Sequence, residues 1–430
     1  MTKYLTLSLF AAMFATLLTL PARAADDKKP ALSLVDELAR HRYEFSVANG
    51  ELEGPGGRFL TDEARTAQFV LVGEDHGIGS IPEFVGALYR AAAPLGFRHL
   101  AVEVGPLSGA AIERMARSAD PERAFADFNR EHPFALPFFS WQEECRLAAT
   151  AVRLAPSSRP AIWALDQEFV LSSAIHFKRL VELAPNRQAR AVATELLQRV
   201  EGEFGRIVET HDPGGVFLVE AKAEDFDRLD KAFGTSPGSE AERILHELRV
   251  SWEIYLKNSD GRGYESNLQR SLLMKEHFMN YYREALRVEK TPPRVLFKFG
   301  AFHMKRGRSV TNVFDIGNLA SELATSNGSH SFHILVIAAT GTQNAYFPFL
   351  GNVADKQKPI DAVGSFDFMD IKPLVEAAGP AGWSVLDLRP LRKLVSGHKF
   401  GTMDRGLEDA MFGYDAVVVI RDAHAATLFE

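Results

Sequence analysis

The sequence predicts an α/β fold: a mostly parallel central sheet of about seven strands flanked by helices, with a helical insertion. Three observations predict it. Short apolar runs recur that are long enough for buried strands and too short for helices. Helical periodicity separates them. One long stretch, 171–289, carries helical patterns and no convincing strand.

The chain opens on a segment that is not part of this fold. Lys3 gives a short positive start, Leu5 to Leu20 is apolar and uncharged, and Ala22-Arg23-Ala24 is a small-x-small cleavage pattern. Residues 1–24 therefore read as a cleavable signal peptide, and 25–430 as a single α/β domain, periplasmic or secreted and not membrane-bound once the signal is removed.

The expected strands follow in order: Gln68–Gly73, His99–Val104, Ala161–Asp166, Arg294–Gly300, Ser331–Thr340, Trp383–Leu388 and Ala416–Ile420. Pro82 opens a helix running to about Ala93. Asp120-Pro121-Glu122 starts another, and Ser140 with Glu143 reads as a capping box for a helix ending near Leu154. Within the insertion, helical patterns cover Asn186–Phe204, Ala223–Phe233, Ser239–Lys257 and Ser266–Val288. They read as a cap over the sheet.

Composition narrows the chemistry. A net charge of −7 argues against a nucleic-acid binder built on a basic surface; the expected partner is a small-molecule substrate. The single cysteine, Cys145, excludes an internal disulfide framework and a cysteine-cluster metal site. There is no G-x-S-x-G nucleophile elbow, no H-E-x-x-H and no phosphate-binding P-loop.

What remains is a set of polar residues at strand ends, where open α/β sheets and barrels bind ligands. The first run ends in Glu74-Asp75-His76, the second carries Glu103, the third ends in Asp166 and the fourth leads to His303. An acid inside the apolar run HLAVEV costs several kcal/mol (about 3–5 once its partner is removed) unless it is paired. Glu103 therefore needs a partner, and His76, an arginine or a metal would serve. The plainer readings are that Glu74 and His76 cap the Pro82 helix, that Glu103 is a structural ion-pair partner, that Asp166 caps its own turn, and that His303 is a loop histidine.

Val72-Gly73-Glu74-Asp75-His76-Gly77 followed by Glu83-Phe84 resembles the first motif of the erythromycin-esterase-like family. Gly96-Phe97 through Glu103, Arg270 to Met274 with Asn280, and Lys298 to His303 resemble its later motifs in order and spacing, with Ser271 where that family has aspartate. The wider superfamily contains haem-binding ChaN-like proteins and metalloproteases of the TIKI and TraB types.

The resemblance implies hydrolysis of an ester, lactone or amide. His76 is the candidate general base, Glu74 or Glu103 holds its ring, and His303 or Arg270 stabilises negative charge or protonates the leaving group. No cofactor is required. A divalent metal on Glu74, His76, Glu103, Asp166 and His303 is the alternative. A third reading is a non-enzymatic periplasmic haem binder using Tyr264, His277 or His303. The segment His132–Phe139 is expected to form an apolar wall of the pocket.

Overall fold

The computed structural model describes residues 32–156, 159–212, 215–345, 357–365 and 368–429. The expected signal segment lies outside the described residues. The strands are β1 (Arg42–Ala48), β2 (Glu51–Glu53), β3 (Phe69–Glu74), β4 (Phe97–Val102), β5 (Ile162–Ala164), β6 (Arg294–Gly300), β7 (Ser331–Ala338), β8 (Thr342–Asn344), β9 (Gln357–Pro359), β10 (Trp383–Asp387) and β11 (Ala416–Ile420).

Nine of them form one sheet in the order β2-β1-β10-β11-β7-β3-β6-β4-β5, and β8 and β9 pair separately. From β11 to β5 every pairing is parallel, whereas β2, β1, β10 and β11 pair antiparallel. All seven expected strands are present. The nine-stranded sheet has two further strands, β1 and β2, which sit at an edge and are only partly buried. They lack the continuous apolar runs of β3 and β7, whose residues are all buried.

Strand side chains alternate between the two faces, so each buried strand feeds two cores. Val70, Val72, Leu296, Ile334 and Val418 belong to one. Phe69, Leu71, Phe297, Leu335 and Val417 belong to the other. The helix Gln142–Leu154 covers the first face through Cys145, Leu147 and Ala148. The helix Gly263–Glu289 covers the second through Met274, Phe278 and Tyr282.

Between β5 and β6 every described regular element is a helix, from Ser173–Leu183 to Gly263–Glu289. These helices carry a core of their own around Phe177, Phe217, Phe226 and Trp252. The expected helix Asn186–Phe204 is two, Arg187–Val200 and Glu203–Thr210, because Gly202 at φ +89 breaks it. The expected capping box at Ser140 does not form. Trp141 is the N-cap, and the buried Ser140 hydroxyl has no hydrogen-bond partner among the described residues. Asp120 does cap its helix, accepting from Arg123 N.

Candidate active site

The polar residues meet where β3, β6 and β4 end. They line a cavity of about 350 Å³ walled by Glu74, Asp75, His76, Glu103, Arg270 and His303, with Gly300 and Phe302 beside them. The alternation that builds the two cores also sorts these side chains. Glu74 continues the row of Val70 and Val72, and Lys298 the row of Leu296, so both point toward the helix Gln142–Leu154. Arg270 comes from the helix on the opposite face.

On the first side, the Lys298 ammonium lies 2.5 Å from Glu74 Oε1 and 2.5 Å from Glu144 Oε1. All three side chains are nearly sealed from solvent. Burial pushes the Glu144 carboxyl up to about 7, with Lys298 opposing and Glu74 adding to the rise. Glu74 goes the other way: burial resists ionisation, but Lys298 and His76 together hold its pKa below the ordinary value.

His76 Nδ1 lies 2.8 Å from the same Glu74 oxygen. Because Glu74 is a carboxylate, Nδ1 donates and Nε2 is the ring's basic nitrogen. Nε2 lies 3.6 Å from Glu103 Oε2. The ring stacks on Phe138 with centroids 4.2 Å apart. Burial opposes the imidazolium, but Glu74 and Glu103 outweigh it and raise the His76 pKa above 6.5. Two glycines make room. Gly77 takes φ +87 immediately after His76, and a Cβ there would lie 2.2 Å from the Asn344 carbonyl oxygen. A Cβ on Gly300 would lie 3.1 Å from His76 Nε2.

On the second side, Glu103 is the hub. It accepts from Gly300 N at 2.6 Å and Arg270 Nη2 at 2.8 Å, with His303 Nε2 at 3.4 Å. Although burial resists it, His303, His76 and Arg270 hold the Glu103 carboxyl well below the usual range. Arg270 grips Asp166 with two nitrogens, Nε at 2.8 Å from Oδ1 and Nη2 on Oδ2. Asp166 also accepts from Gln167 N, so it both caps its turn and anchors the arginine. His303 Nδ1 pairs with Asp315 at 2.7 Å. Burial works against the His303 cation, but Glu103 and Asp315 raise its pKa to about 10.

The plain capping reading of Glu74 and His76 fails, since Gly79 is the N-cap of the helix containing Pro82. The expected wall segment His132–Phe139 does not line this cavity; Phe138 backs the His76 ring, while Ala135, Leu136 and Phe139 are buried in the interior. Lys298, Glu144 and Asp315 are the participants the sequence reading missed. Lys298 carried a signal, a charge within the apolar run RVLFKFG, of the kind that drew attention to Glu103.

The metal alternative does not fit this arrangement. Lys298 sits on Glu74, and Arg270 spans Glu103 and Asp166, so cations already occupy the carboxylates proposed as ligands. Among the described residues no group of three or more His, Cys, Asp or Glu side chains has metal-holding geometry. The haem reading gains no support either. His277 has both nitrogens engaged, with the Leu165 carbonyl and Glu247, and Tyr264 stands exposed on the outer end of its helix.

Three solved structures share this architecture. An erythromycin esterase mutant in its open conformation matches with TM-score 0.59 and 11% identity, over 90% of this chain and 99% of that one. The fold is erythromycin-esterase-like. A Bacillus cereus protein matches with TM-score 0.55 and 14% identity, over 93% and 100% of the two chains. A succinoglycan biosynthesis protein matches with TM-score 0.54 and 12% identity, over 92% and 98%. No protein-family model matches the chain, and no curated protein does.

Proposed function

We propose that the protein is an exported hydrolase of an ester, lactone or amide bond in a small molecule, with His76 as general base and no metal in the reaction. The observation that carries this reading is the pairing of His76 Nδ1 with Glu74, which aims a basic Nε2 at a cavity whose other walls are Arg270 and His303. The likeness to an erythromycin esterase supports the hydrolase class through the fold. The small-x-small end of residues 1–24 supports export.

In the reaction, Nε2 of neutral His76 takes a proton from water as the water oxygen bonds to the substrate carbonyl carbon. Glu74 stabilises the imidazolium that forms. Arg270 and protonated His303 face the negative charge that develops on the carbonyl oxygen. The tetrahedral intermediate then expels the leaving group, which receives the proton from His76.

The test is turnover of a panel of esters, lactones and amides by the purified protein, its His76→Ala variant, and the wild type treated with chelator. Activity that vanishes with His76→Ala and survives chelation supports the reading. Full activity in His76→Ala removes it, and loss on chelation restores the metal alternative.

A further inference from the structure

A second cavity, of about 400 Å³, adjoins the first. The two share Ala301, Phe302 and Phe368. Phe302 and Phe368 meet edge to face with centroids 4.9 Å apart, forming the partition. The rest of the second wall is mainly apolar, including Val310, Leu335, Met369 and Tyr414. Phe302, Val310 and Phe368 are 37%, 42% and 55% exposed, so large apolar side chains face solvent beside the reacting groups.

Four charged residues also line this wall: Lys305, Asp404, Arg405 and Asp409. Lys305 is half-buried in it, and among the described residues its ammonium has no hydrogen bond or ion pair. Its neighbour Arg306, by contrast, is paired with Asp415. Burial lowers the Lys305 pKa, with Asp409 pulling against it from a distance and Arg308 adding to the fall. The other acid at the rim, Asp404, is committed to backbone amides, accepting from Leu407 N at 2.8 Å and Asp370 N at 3.1 Å. Arg405 adds a second cation at the rim. A half-desolvated ammonium in an apolar wall gains most from an anionic partner brought in by a ligand.

We propose that this cavity is a substrate subsite for an apolar chain bearing a carboxylate, with the chain against Phe302, Val310 and Phe368 and the carboxylate on Lys305. The inference rests on the hydrolase reading for its ester bond, and on the cavity alone for its preference for an anionic chain.

The experiment compares ethyl hydrogen suberate with ethyl octanoate, esters of equal chain length that differ in the terminal carboxylate. Wild type is expected to favour the suberate ester in kcat/KM by about 10-fold or more, the scale of one charge-assisted hydrogen bond. Lys305→Gln brings the ratio near one, and Lys305→Glu inverts it. Equal rates in wild type, or a ratio that Lys305→Gln leaves unchanged, overturn the subsite while the hydrolase reading stands.

Calorimetric binding of suberate to the full chain separates the two ideas further. If neither ester turns over but Lys305→Gln and Lys305→Glu weaken suberate binding, the subsite stands on its own and the panel of esters, lactones and amides decides the hydrolase reading. Suberate binding that is absent, or indifferent to Lys305, overturns the subsite.

Discussion

Glu74 Oε1 lies 2.8 Å from Nδ1 of His76, two residues further along the chain at the end of a buried strand. The contact fixes the tautomer of the ring. It also commits His76 to a raised pKa, because the surrounding charges favour the imidazolium. The four carboxylates of Glu74, Glu103, Asp166 and Asp315 face three cations, Lys298, Arg270 and His303, and a protonated His76 supplies the fourth.

The first prediction concerns that ring. His76→Gln is expected to lower kcat by about 10²–10⁴-fold, the usual contribution of a positioned base. The acid limb of the wild-type pH–rate profile is expected to have its midpoint above 6.5, since the His76 pKa is raised. A midpoint below 6.5 would show that another group is the base.

Lys298 is expected to matter for folding before it matters for turnover. Lys298→Met leaves Glu74 and Glu144 buried without their counter-charge and should cost about 3–5 kcal/mol in denaturant unfolding. Adding Glu144→Gln removes one of the orphaned carboxylates, so the double variant should recover part of the loss. Strict additivity of the two changes would contradict the bridge.

Stability should fall as pH rises on account of His303. Its folded pKa of about 10 lies above its ordinary value of 6.5, so its stabilising contribution is complete below pH 6.5 and is lost as pH rises through about 10. Glu144 adds a decline of the same sign between 4.5 and about 7. Unfolding midpoints measured from pH 6.5 to 10 should therefore fall less steeply in His303→Gln than in wild type.

Arg270→Lys keeps the charge but loses the two-nitrogen grip on Asp166. With the cation no longer fixed against the cavity, kcat is expected to drop by about 10²–10³-fold, the scale of one lost oxyanion donor, with a smaller change in KM. An unchanged kcat would take Arg270 out of the reaction.

Much of this arrangement was legible in the chain, and the reason is energetic. An acid or base in an apolar run is costly unless paired, so Glu103 in HLAVEV announced a partner before any partner was visible. Lys298 in RVLFKFG carries the same energetic signal, although a lone lysine near a strand end is also compatible with one that snorkels to solvent. Glu144 and Asp315 carried no such signal. Glu144 sits in an ordinary helical first turn, and Asp315 is a helix cap that also happens to reach His303.

By itself the sequence determined the parallel strands, through apolar runs that must be buried on both faces, and the polar residues at their ends. It determined most of the helical stretch between β5 and β6, through periodicity. Only the tertiary structure decided the rest. The order β3-β6-β4 sets Glu74, Gly300 and Glu103 side by side although they are far apart in the chain. Helices from opposite faces then bring Glu144 and Arg270 to the same edge. Protonation was settled there too, since a pKa depends on which charges share the desolvated space, and that is a property of distance rather than of sequence spacing.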